Sequence, residues 1–157
     1  MFLQLKKNGP PMKVVFRLVD RLKEDPDRMR LAQALTMDVS RPRMGLRGKH
    51  GLFGSSEWWS SIEEKKIHLL QIDGVIQRSY ISGQDGGETN NTIDLLLDDG
   101  STQMVGIYVN DKSDTELFRP ERSASIVYAC DELKHQPAAD GGINYLNIAI
   151  EMAVSIE

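Results

Sequence analysis

Residues 92–109 read Thr92-Ile93-Asp94-Leu95-Leu96-Leu97-Asp98-Asp99-Gly100-Ser101-Thr102-Gln103-Met104-Val105-Gly106-Ile107-Tyr108-Val109. Ile93, Leu95 and Leu97 recur at every second position, and so do Val105, Ile107 and Val109. A period of two sends alternate side chains to opposite faces of an extended chain, so each run predicts a half-buried strand. Asp99-Gly100 between them joins a residue that tolerates left-handed backbone to one that favours it, which predicts a tight hairpin. The other face of this hairpin then carries Thr92, Asp94 and Leu96 on one strand and Thr102, Met104, Gly106 and Tyr108 on the next.

Outward from the hairpin the same period continues. Ile67 to Ile81 predicts a long strand interrupted at Gly74, where a bulge or bend is expected. Ile126, Tyr128 and Cys130 alternate on a fourth strand. Leu146, Ile148, Ile150, Met152 and Val154 give the longest alternation in the chain and predict a fifth.

Upstream of Ile67 the period is helical. Val15, Leu18, Val19 and Leu22 predict one helix over residues 12–23. Asp25 is placed to cap a second, with Pro26 at its first position and Asp27 in its first turn. Met29, Leu31, Ala32 and Leu35 continue that helix to about Met37, so the segment is either two short helices or one kinked helix. Residues 39–54, with four Gly, Pro42 and no acid, predict a loop. A short helix follows over Ser55–Glu64, capped by Gly54 or Ser55; with Gly54 as cap, Phe53 and Trp58 would form a hydrophobic staple. At least one of Trp58 and Trp59 is expected to anchor this helix in a core. Residues 1–11 read as a tail ahead of the first amphipathic segment, or as the product of an upstream start before Met12.

Five strands with a long bent first member, a tight second-to-third hairpin and a longer link before the fourth resemble the OB-fold over residues 67–157. The resemblance is one of pattern. It departs from the common form in the link Asn110–Ser123, where Leu117-Phe118-Arg119-Pro120 is too short and polar for a helix, and an SH3-like barrel or a small sandwich stay open. The expected architecture is therefore α+β: N-terminal helices followed by a five-stranded antiparallel OB-like β-barrel. Its expected domains are a basic helical N-terminal extension with a Gly/Arg-rich loop, residues 1–66, and an acidic β-barrel, residues 67–157.

Charge supports that division. Residues 1–66 hold 14 Lys/Arg against 8 Asp/Glu, and residues 67–157 hold 5 against 15, so +6 and −10 make up the net −4. The two parts either attract each other within one molecule or carry surfaces for different partners. With 40% apolar residues the chain has material for a core. One cysteine, Cys130, excludes an internal disulfide framework and fits a reducing compartment, and a cytoplasmic location is expected. No apolar run reaches the roughly 20 residues that span a bilayer, and the N-terminus has the wrong order for a secretory signal.

No catalytic motif is present. His50, His68 and His135 are scattered, and there is no His-x-x-x-His, Cys-x-x-Cys or Gly-x-Ser-x-Gly. The polar loop Ser82–Asn91 is rich in oxygen ligands but lacks EF-hand spacing, and Gly83-x-x-Gly86-Gly87 is followed by no phosphate-binding helix, so neither a metal nor a cofactor is expected. The hairpin face holds no Lys or Arg, which makes it a poor surface for phosphate. Leu96, Met104 and Tyr108 instead form an apolar patch, expected to be covered by the N-terminal helices or else by another protein. The expected function is a non-enzymatic protein-interaction or adaptor module. An acidic barrel steers basic partners, as would suit an immunity-type or assembly protein. The alternative is a nucleic-acid-binding accessory protein acting through Arg41, Arg43, Arg47 and Lys49 in the loop 41–49.

Overall fold

The computed structural model describes residues 1–83 and 89–157. Its elements run β1 (Met12–Arg17), α1 (Leu18–Glu24), α2 (Pro26–Met37), α3 (Ser56–Glu63), β2 (His68–Tyr80), β3 (Thr92–Leu96), β4 (Thr102–Gly106), a 3-10 turn (Lys112–Leu117), β5 (Ser123–Glu132) and β6 (Tyr145–Ser155). Six antiparallel strands form one open sheet in the order β1-β6-β5-β2-β3-β4. The expected closed five-stranded barrel behind N-terminal helices is therefore incorrect.

The correction turns on residues 12–17. Read at helical spacing they looked amphipathic, yet they form β1, paired with β6 from Met12↔Ser155 to Arg17↔Glu151. Pro10-Pro11 delivers the chain extended, and Val14-Val15-Phe16 packs well on a pleated surface. A register shift between Val14 and Phe16 lets the consecutive Val15 and Phe16 both be buried. That bulge breaks the period of two, and a broken period of two resembles a period of 3.6. Four of the other five strands lie where alternation put them, while β4 ends at Gly106 and leaves out Ile107 and Val109, which were expected on it. In β2 the bulge falls between Ile76 and Arg78 rather than at Gly74. Gly74 answers a different need, because a Cβ there would come 2.7 Å from the Leu96 carbonyl oxygen.

The chain divides into two compact units, with boundaries inside β2, β5 and β6. One comprises residues 1–18, 71–127 and 149–157. Its core gathers Val15, Phe16, Ile76, Ile93, Leu95, Val105, Ile126, Ile150, Met152 and Val154. Residues 1–11, expected to be a tail, belong to this unit. Leu3 is buried, and the backbone N–H groups of Phe2 and Leu3 donate to Glu151 Oε1 at 2.7 and 2.8 Å. These bonds satisfy a carboxylate that β6 carries into the interior.

The other unit comprises residues 19–70 and 128–148. Asp25 caps α2 as expected, its side chain accepting from the Arg28 N–H. Ser55 rather than Gly54 caps α3, accepting from the Trp58 N–H at 3.2 Å. The Phe53 and Trp58 rings still meet, edge to face with centroids 5.2 Å apart. Trp58 is fully buried and its indole N–H donates to Asp131 Oδ2 at 2.9 Å. The units do not reproduce the charge division of the sequence. The first holds 8 Lys/Arg against 12 Asp/Glu, net −4, and the second holds 11 of each.

Candidate functional site

The β3–β4 hairpin sets the geometry of the patch. Its register pairs Leu96 with Thr102, Asp94 with Met104 and Thr92 with Gly106, so these six residues share one face. Leu96 and Met104 are diagonal neighbours across the ladder, at the roughly 7–8 Å separation such pairs have. A Cβ on Gly106 would lie 3.2 Å from the Tyr108 ring, so the ring folds over the glycine and joins the same face. It also packs against Phe16, with centroids 5.6 Å apart. The structure thus places Leu96 and Met104 side by side, with Tyr108 just past the end of β4 over Gly106. The helices were expected to cover them, but Leu96 is 37% exposed, Met104 65% and Tyr108 37%.

Two features of this face escaped the sequence reading. Val75, opposite Leu96 on β2 and 41% exposed, extends the apolar strip. The Arg78 side chain bonds Asp94 Oδ2 at 3.2 Å and lies 4.1 Å over the Tyr80 ring, while the Tyr80 hydroxyl donates to Asp94 Oδ1 at 2.9 Å. The only carboxylate of the patch is therefore neutralised and held in place. The β2 bulge hid these neighbours, since it changes which β2 residues share a face with β3.

The basic loop is packed on its own unit. Gly45, Gly48, Gly51 and Gly54 all have positive φ, and a Cβ at Gly54 would come 2.7 Å from Met29 Sδ. Leu46 is buried and bridges Leu133. Lys134 sends its ammonium to the carbonyls of Leu35, Asp38 and Arg41 at 2.6, 3.3 and 3.1 Å, closing the C-terminal end of α2 onto the loop. Three of the four loop cations have internal partners. Arg41 pairs with Asp38 at 3.5 Å, Arg47 with Glu132 at 3.6 Å, and Arg43 Nε donates to His135 Nδ1 at 3.0 Å. Lys49 forms no ion pair among the described residues.

Residues scattered in the sequence do meet elsewhere in this unit. A recess of about 90 Å³ is lined by His50, His68, Cys130 and Asp131, together with Lys49, Lys66, Glu132 and Tyr145. Burial pushes the Cys130 thiol up, away from the thiolate a nucleophile needs. Burial also raises Asp131, against the lowering effect of the Trp58 hydrogen bond. Among the described residues no three His, Cys, Asp or Glu side chains are grouped to hold a metal ion. The loop Ser82–Asn91 and its Gly83-x-x-Gly86-Gly87 lie partly outside the described residues.

No helix among the described residues is long and apolar enough to cross a membrane. Among curated proteins, none matches the chain. Residues 12–155 match the family model described as immunity protein RhsI2, and the chain therefore belongs to that immunity-protein family.

Proposed function

We propose that this chain binds a cognate toxin protein and neutralises it, docking through the β3–β4 face that carries Leu96, Met104 and Tyr108. Membership of an immunity-protein family gives the chain a protein-binding role. One observation supports the choice of face: Leu96 and Met104 are neighbours on an antiparallel ladder, the Tyr108 ring folds over Gly106 at its end, and all three remain exposed. Singly exposed apolar residues are ordinary, but a contiguous group on regular structure is the usual mark of a partner surface. A preorganised strand face also loses little conformational freedom on binding.

The charge around the face suits a basic partner. Asp98 and Asp99 stand at the hairpin tip, and the unit carries net −4. Such a surface raises the association rate of a positively charged protein. Nucleic-acid binding through the loop gains no comparable support, because Arg41, Arg43 and Arg47 already have partners within their unit.

The test is co-expression with the cognate toxin domain, joined to calorimetric titration of the purified pair. Leu96→Asp is expected to abolish protection and weaken binding by about 2 kcal/mol or more, the scale of an interface hot spot. Unchanged protection by a folded Leu96→Asp protein would refute the choice of face. Absence of binding by the wild type to that toxin would refute the function.

A further inference from the structure

The two edges of the sheet are treated differently. At β1, Lys13 pairs with Asp114 at 2.7 Å and a bulge interrupts the strand. The chain itself then occupies that edge: Asn110 N–H donates to the Val15 carbonyl at 2.9 Å, and the Asn110 side chain bonds both the N–H and the carbonyl of Arg17. Cations, bulges and covering segments are the devices by which proteins keep a strand edge from pairing with another chain.

At β4 none of these devices is present among the described residues. The strand Thr102-Gln103-Met104-Val105-Gly106 has no charge, no proline and no register shift against β3. Its hydrogen-bonding phase follows from the flanking bonds. Leu97 N–H donates to the Ser101 carbonyl at 2.9 Å and Ile107 N–H to the Asn91 carbonyl at 2.8 Å. Antiparallel pairs alternate between bonded and non-bonded, so Gln103 and Val105 direct their backbone groups at β3. Thr102, Met104 and Gly106 direct theirs away from the sheet, and among the described residues no partner takes them up. Thr102 and Met104 are exposed.

We propose that β4 is a strand-addition site: an extended segment of the toxin pairs with the backbone of Thr102, Met104 and Gly106. This rests on the toxin-binding reading above and deepens it. Met104 belongs to both surfaces, since its side chain lies on the exposed face while its N–H and carbonyl open onto the edge. Main-chain pairing supplies affinity and the neighbouring apolar face supplies selectivity, which is the usual division of labour in strand addition. A second copy of this chain is the weaker occupant on charge, because it would bring one −4 unit against another.

The experiment is amide hydrogen exchange, read by NMR on the intact chain, alone and with the cognate toxin domain. Alone, the amides of Thr102, Met104 and Gly106 should exchange fast, and those of Gln103 and Val105 slowly. In the complex the three fast amides should slow by about tenfold or more, giving uniform protection along the strand. A second arm compares variants of proven fold. Met104→Pro removes an N–H that has no partner in the sheet and should weaken binding about tenfold or more beyond Met104→Ala, which keeps it. If Leu96→Asp abolishes binding while the three amides stay fast in the wild-type complex, strand addition is overturned and the docking face stands. Protection that grows with protein concentration in the absence of toxin would overturn it in favour of self-pairing.

Discussion

The Gly/Arg-rich loop of residues 39–54 and the β3–β4 hairpin are the two segments that looked most like binding surfaces, and they ended differently. The loop has the charge, but Arg41, Arg43 and Arg47 find internal partners, and glycines and Lys134 hold its backbone against α2. The hairpin has no Lys or Arg, yet Leu96 and Met104 share one face, with Tyr108 over Gly106 beside them, and all three stay exposed. A run of like charges is easily satisfied within a molecule, because long cationic side chains reach carboxylates and carbonyls on neighbouring segments. An exposed apolar group on a rigid strand has no such way out, so it is the better sign of a missing partner.

The largest expected effect lies under the loop. Trp58→Ala removes a fully buried ring and leaves buried Asp131 without its indole donor. It should lower stability by about 3–5 kcal/mol in chemical denaturation, and a loss below about 1 kcal/mol would show that the unit does not depend on this anchor. Lys134→Met comes next. It strips three carbonyls of their common donor and should lower stability by about 1–3 kcal/mol without altering toxin binding. A loss of binding without a loss of stability would move the interface towards the loop.

Asp131 sharpens the comparison through pH. Burial raises its folded-state pKa above the unfolded value of about 3.9, so the associated stability is full below that value and is lost as pH rises through the folded pKa. Asp131→Asn keeps an acceptor for Trp58 and cannot ionise. Wild-type stability should therefore fall relative to the variant as pH rises from about 4, and parallel stability curves for the two proteins would refute the assignment. The smallest effect is reserved for the loop cations. Arg41→Gln and Arg43→Gln remove exposed contacts and should change stability by about 0.5 kcal/mol or less, with protection against toxin retained. Loss of protection would break the contrast between loop and hairpin.

What residue order alone determined is local. The β3–β4 hairpin, the positions of β5 and β6, the Asp25 cap of α2 and the burial of at least one of the paired tryptophans were all legible, because each depends on a pattern or a capping group within a short stretch of chain. That Leu96 and Met104 share a face was legible for the same reason, since pairing across a short hairpin fixes which side chains lie together. Tertiary structure decided the rest. It made residues 12–17 a strand, because a bulge disguised their alternation and β6 offered them a partner from the opposite end of the chain, Met12 against Ser155. It placed Val75 beside Leu96 across a second bulge, tied the N-terminal backbone to Glu151, gave the loop cations their partners and left β4 as an open edge. None of these has a local signal, because each rests on a hydrogen bond or contact between segments whose proximity only the folded chain creates.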